Sequence, residues 1–148
     1  MATDATLETL PGWARALLDE VRVAHLGVTD DEGRPRVMPV TFAVAGGAAW
    51  TAVDHKRKRV PGERLARVRW LDARPASSLT VDRYHDDWSR LAWVQLLGRT
   101  TVLEAAGHPE ILDVLSERYP EYRERRPAGP LLRLTPERVL CWRATAYR

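Results

Sequence analysis

The segment from Leu91 to about Glu104 constrains the chain more than any other. It reads as one apolar strand more than twice the common strand length of about 5–6 residues. Gly98 sits in its middle, where a residue without a side chain marks a bulge and lets the strand bend. Long bulged strands joined to their neighbours by turns suit an antiparallel barrel better than a parallel sheet.

The other segments supply the barrel's neighbours and covers. Trp13, Leu17 and Val21, with Ala14 and Leu18 beside them, repeat at helical spacing. Pro11 suits that helix's first turn and Thr9 its cap, so the helix closes one end of the core. Val23–Thr29 and Arg36–Val44 read as a hairpin around the turn residues Asp30-Asp31-Glu32-Gly33. On its second strand Met38, Val40, Phe42 and Val44 share one face, and Val37, Pro39, Thr41 and Ala43 the other. Pro39 cannot donate to a ladder, so an edge or a bulge is expected there. Ala45-Gly46-Gly47 turns into a third strand, Ala48–Asp54, and a helix follows from about Pro61, with Leu65, Val68 and Leu71 inward and Arg64 and Arg67 outward.

A strand over Ser77–Arg83 leads through the polar residues 84–89 into the long strand. Gly107-His108-Pro109 opens another helix with Ile111, Leu112, Leu115 and Tyr119 on one side. Residues 122–126 read as charged and solvated. Leu131–Pro136 and Val139–Arg143 read as two strands joined by a short turn. The expected class is mainly β, an antiparallel barrel with flanking helices, in one domain over residues 1–148.

Composition narrows the function classes. No apolar run approaches the roughly 18–20 residues of a membrane span, and the acidic N-terminus lacks a signal pattern, so a cytoplasmic protein is the expectation. The single Cys141 excludes an internal disulfide framework and a cysteine-built zinc site. A formal net charge of +3, with acids spread among the arginines, is a poor match for duplex binding and points to a small anionic partner, not nucleic acid. His25, His55, His85 and His108 show no paired metal spacing, and Ser77-Ser78 lacks a nucleophile elbow. No strand–Gly-rich loop–helix fingerprint for dinucleotides or triphosphates is present. Without a nucleophile or an acid–base pair, an enzyme of this sequence would rely on a cofactor.

One stretch offers chemistry. Thr51-Ala52-Val53-Asp54-His55 runs into Lys56-Arg57-Lys58-Arg59, four consecutive cations ahead of a proline-started helix, and the chain has no other lysine. A compact ammonium suits a phosphate, and the free N–H groups of a helix start would face the same anion. A solvated basic loop is the competing reading. Trp88 and Trp93 flank a loop and suit core packing, a subunit interface or a wall over a planar ligand.

The order of these pieces, with Gly33-Arg34-Pro35-Arg36-Val37-Met38-Pro39-Val40-Thr41-Phe42 followed by Thr51 to Arg59, resembles the pyridoxamine-phosphate-oxidase-like superfamily. Within it, the chain most resembles the small actinobacterial oxidoreductases that use the deazaflavin coenzyme F420. The resemblance implies a split β-barrel and a homodimer with two cofactor sites at the interface. It implies that Lys56, Lys58 and Arg59 hold the cofactor phosphate. It further implies that Pro39, Val40, Thr41 and Phe42, with Thr51, Ala52 and Val53, line the ring, and that Trp88 and Trp93 reach the site from the partner. FMN is the alternative cofactor; the extra cations Arg57, Arg64 and Arg67 suit the glutamate tail of F420, and the arginine-rich composition looks actinobacterial. The expected activity is hydride transfer between F420 and a small organic substrate, with a non-catalytic flavin-, deazaflavin- or tetrapyrrole-binding protein as the reading from another class.

Overall fold

The computed structural model describes residues 2–53 and 62–145, with the backbone alone at 62–65. Among these residues, eight strands form one sheet: β1 (Thr3–Ala5), β2 (Ala24–Thr29), β3 (Pro35–Val40), β4 (Ala43–Ala45), β5 (Ala48–Ala52), β6 (Ala76–Arg83), β7 (Ala92–Leu103) and β8 (Leu131–Arg143). Four α-helices accompany them: α1 (Gly12–Glu20), α2 (Gly62–Ala73), α3 (Pro109–Arg118) and α4 (Pro120–Glu124). The strand order is β3-β2-β6-β7-β8-β5-β4, with β1 added to β8, and every pairing is antiparallel. The sheet curls so that Leu26, Leu79, Leu96, Leu132, Leu134 and Val139 meet in one core, closed by Ala14, Leu17 and Leu18 of α1. The antiparallel barrel expected from the long strand is the architecture found. Among the described residues, no helix is long and apolar enough to cross a membrane.

The β7–β8 pair is the spine. Its register shifts between Leu97 and Gly98, at the expected bulge, and beyond it Gly98 faces Pro136. A Cβ at Gly98 would strike the carbonyl oxygen of Thr135 and come within 2.9 Å of Pro136 Cα, so the close crossing of the two backbones requires glycine. The bulge also explains a correction. Leu131–Arg143 is one continuous strand, not two joined by a turn, because Pro136 falls where the ladder is already interrupted and its missing N–H costs nothing.

The strand expected over Arg36–Val44 is likewise different. It ends at Val40, and after Thr41-Phe42 the chain resumes as β4 at the far end of the sheet order. Phe42 packs into the barrel core, while its N–H leaves the ladder for the hydroxyl of Tyr119. β3 is an edge strand in the sheet order, as Pro39 requires, and Pro39 stands opposite His25 in the β2–β3 register. Gly46 and Gly47 take positive φ values of 59° and 74°, the geometry of a two-residue hairpin turn between β4 and β5.

β5 is buried along its whole length because it lies between two cores. Ala49 faces the barrel interior, while Trp50 and Ala52 face a second cluster with Ile111, Leu112 and Leu115 of α3. Two smaller corrections follow from packing. Tyr122, expected in solvent, is buried in that second cluster on α4. Thr9 does not cap α1: Pro11 is the cap residue without a side-chain bond, and Thr9 exchanges hydrogen bonds with Thr6.

Candidate functional site

The two segments assigned to the cofactor ring meet at one end of the barrel. β4 pairs with β5 up to Ala43↔Trp50; Thr41-Phe42 come just before that pair in the chain and Thr51-Ala52 just after it. Phe42 and Thr51 line a common internal cavity of about 10 Å³ with Thr100 and Leu132, room for one water at most. The Thr51 hydroxyl is buried there without a partner among the described residues. Pro39 is exposed on the edge strand, Thr41 is half-buried, and Val40, Phe42, Thr51, Ala52 and Val53 are buried. This end therefore presents mainly backbone and the overhang of β5 past the start of β4. Val53 donates its N–H to Pro130 O at 3.0 Å, and a Cβ on Gly129 would lie 2.6 Å from the Val53 carbonyl oxygen, which fixes where β5 stops. Lys56, Lys58 and Arg59, with Arg57, lie outside the described residues, and so does the side chain of Arg64. What is described is that they are bracketed by the end of β5 and the start of α2 at Gly62.

The strand break is held by residues that the sequence reading did not assign to any site. Tyr119, at the α3–α4 junction, accepts a hydrogen bond from Phe42 N at 2.9 Å. Its hydroxyl stands 2.9 Å from the carbonyl oxygens of both Arg22 and Phe42, to one of which it donates. Tyr122 OH is 2.7 Å from Thr41 Oγ1. Beside them Arg118 donates to the carbonyls of Asp19 at 2.8 Å and Leu18 at 2.9 Å, and also to that of Val21, and its guanidinium lies 4.8 Å from the Phe42 ring centre. A cation on the orphan carbonyls of the α1 C-terminus is favoured by hydrogen bonding and by the helix dipole. The visible signal was the cluster Arg118-Tyr119-Pro120-Glu121-Tyr122 itself, where Tyr119 falls on the helix side of Ile111, Leu112 and Leu115 and only Tyr122 belongs to the stretch read as solvated.

Arg133 was also passed over. It pairs with Trp50 across β5–β8, lies 5.7 Å over that ring, and has a buried Nε without a partner among the described residues.

Trp88 and Trp93 belong to the opposite end. Trp93 stands opposite Trp142 in the β7–β8 register, whereas Thr51 is level with Leu132 and Val102. At about 3.3 Å per residue, that is a separation of roughly 30 Å along the barrel within one chain. Trp88, in a short 3-10 turn over Trp88–Arg90, is 68% exposed, which rules out core packing for it. His85 and Asp87 serve that turn: Asp87 accepts from Ser89 N and Oγ at 3.1 and 2.7 Å, which holds its carboxyl below the usual range, and His85 Nδ1 accepts from Asp87 N. Cys141 is a free, buried thiol whose pKa burial raises, the setting of an inert core cysteine. Among the described residues no three His, Cys, Asp or Glu side chains are grouped to hold a metal.

Comparisons with known proteins agree with this architecture. No curated protein matches the sequence. A solved structure described as a FAD-binding protein from Mesorhizobium loti superposes with a TM-score of 0.64 at 20% identity, covering 95% of this chain and 96% of that one. One described as an F420 reductase gives 0.65 at 19% identity, over 88% and 98% of the two chains. HutZ, described as a heme storage protein from Vibrio cholerae, gives 0.65 at 18% identity, over 83% and 87%. At such identities the likeness is one of fold. The model of the pyridoxamine 5'-phosphate oxidase family matches residues 10–143, nearly the whole chain. The chain therefore belongs to the pyridoxamine 5'-phosphate oxidase family of split barrels.

Proposed function

We propose that the chain is a cytoplasmic F420-dependent oxidoreductase that passes hydride between the deazaflavin and a small organic substrate. The observation that carries this reading is the junction at the end of β5: buried Thr51-Ala52-Val53 overhang the neighbouring strand and lead directly into both of the chain's lysines. Lys56, Lys58 and Arg59 would bind the cofactor phosphate. Pro39, Val40, Thr41 and Phe42, with Thr51, Ala52 and Val53, would bound the ring, chiefly through backbone at its carbonyl edge. When bound, F420 supplies the hydride-exchanging carbon; the chain orients the ring, neutralises the tail and excludes water. Arg57, Arg64 and Arg67 suit a polycarboxylate tail, which FMN lacks, and the fold is shared with a protein described as an F420 reductase.

The proposed assembly is a homodimer with Trp88 and Trp93 contributed by the partner. Support comes from their distance from β5 within one chain and from the partly exposed Trp93, Leu97, Leu140 and Trp142 on the outward face of β7 and β8. A second reading, a non-catalytic ligand-binding protein, is favoured by the fold likeness to a heme storage protein.

Titration of the purified protein with F420, FMN and haem, each followed by its own absorbance or fluorescence, separates the readings. The expected result is tightest binding of F420, with Lys56→Ala and Lys58→Ala each weakening it by about tenfold, the scale of a lost charged hydrogen bond. Micromolar FMN binding without F420 binding would overturn the choice of cofactor. Haem binding alone would favour the storage reading.

A further inference from the structure

Of the seven residues proposed to bound the cofactor ring, five have no side-chain hydrogen-bonding group: Pro39, Val40, Phe42, Ala52 and Val53. Of the other two, Thr51 is 5% exposed, and its hydroxyl is buried at the internal cavity it shares with Phe42 and Thr100. Thr41 is placed differently. Val40 and Phe42 on either side of it belong to the barrel core, whereas Thr41 is half-buried and its hydroxyl meets Tyr122 OH at 2.7 Å. Tyr122 is itself buried in the second cluster, edge-on to Tyr119 with ring centres 5.6 Å apart, and Ser116 Oγ donates to its carbonyl at 3.2 Å. The next backbone N–H along from Thr41, that of Phe42, is tied to Tyr119 OH. Packing and backbone thus fix the phenol, and the phenol fixes the direction of the Thr41 hydroxyl.

A bond between two hydroxyls uses only one of their hydrogens. A phenol is the better donor and an aliphatic hydroxyl the better acceptor, so Tyr122 donates and Thr41 keeps its own hydrogen for another partner. A hydroxyl that already accepts becomes a stronger donor, because successive hydrogen bonds polarise one another. Flavin and deazaflavin rings alike carry carbonyl acceptors along one edge. We propose that Thr41 Oγ1 donates to a carbonyl of the bound ring, and that Tyr122 is the positioning residue that aims and polarises it. This role rests on the cofactor reading and names the one side-chain donor that the ring-bounding residues can offer a ligand. A threonine with restricted χ1, set by a packed phenol, has little freedom to lose on binding, so the bond is preorganised. Because the two rings share that edge, the pair serves F420 and FMN equally, and the choice between them is left to the cations at the tail.

Titration of the full chain with F420 and with FMN, followed by the absorbance of the ring, tests the pair in the wild type, Thr41→Val, Tyr122→Phe and the double variant, with Thr41→Ser as the conservative replacement. Thr41→Val keeps the side-chain shape without the hydroxyl and weakens binding by about fivefold, the scale of one neutral hydrogen bond, while Thr41→Ser stays within about twofold of the wild type. Tyr122→Phe weakens binding by about threefold on its own and not at all in the Thr41→Val background, since its effect passes through that hydroxyl. Both single variants also displace the absorbance maximum of the bound ring, which a loss of stability alone leaves in place. Thr41→Val binding as tightly as the wild type, Thr41→Ser binding as weakly as Thr41→Val, or an equal loss from Tyr122→Phe in both backgrounds overturns the proposal and leaves the cofactor reading standing. A wild type that binds neither ring overturns both. Thr41 is half-buried, so its two variants keep the fold and decide the outcome even where Tyr122→Phe does not.

Discussion

The two ends of the barrel, separated by the Gly98 bulge, are finished in opposite ways. At the Thr41–Phe42 end the strand break is packed and bonded: α3 packs over β5, two tyrosine hydroxyls hold the break, and Arg118 caps α1. At the Trp88 end the same strands, β7 and β8, run out into an open groove lined by three tryptophans and three arginines that form no ion pair with a carboxylate among the described residues. The closed end is where hydrogen-bond groups freed by a broken strand had to be satisfied, so side chains were recruited to satisfy them. The open end has no broken ladder to repair, and one of its tryptophans, Trp88, stays mostly exposed. Local order and local availability are thus set by whether the backbone has already used the side chains nearby.

Substitutions should expose this contrast in descending size. Gly98→Ala puts a methyl against the Thr135 carbonyl at the point joining both ends, and should cost about 4 kcal/mol or more, or abolish folding. Solubility and a denaturant melt measure it; a loss under about 1 kcal/mol would mean the bulge can relax. Tyr119→Phe removes only a hydroxyl yet orphans the Phe42 N–H, and should cost about 1–3 kcal/mol in the same melt. Trp88→Ala removes a far larger side chain from the open end and should change stability by no more than about 0.5 kcal/mol. If it costs more than Tyr119→Phe, the open end is load-carrying structure and the contrast fails.

What the sequence revealed follows the same division. Gly98, the turn glycines and the period of the α1 and α3 helices are local signals, and they located most elements within a residue or two. The break after Val40 was invisible because Met38, Val40, Phe42 and Val44 continue the alternation through it; the cause lies at Tyr119, far along the chain. The continuity of β8 was hidden because Pro136 reads as a turn until it is set opposite Gly98, where the β7–β8 register shifts. At the candidate site, the sequence named the segments that converge, Pro39–Phe42 and Thr51–Val53, from resemblance. It gave no sign that most of their side chains are buried or that Tyr119, Tyr122 and Arg133 surround them, because such neighbours are set by tertiary packing across long separations.

The place of β8 has a consequence for how the protein is made. It follows every other described strand in the chain, yet it sits between β7 and β5 and also receives β1. During synthesis, β3, β2, β6 and β7 can assemble as they emerge, while the β4–β5 hairpin and the N-terminal strand wait without a ladder to join. The first and the last of the described strands are therefore zipped together in the final act. A ribosome stalled before residue 143 would hold a half-sheet with a bare hydrophobic edge, dependent on a chaperone until the closing strand arrives.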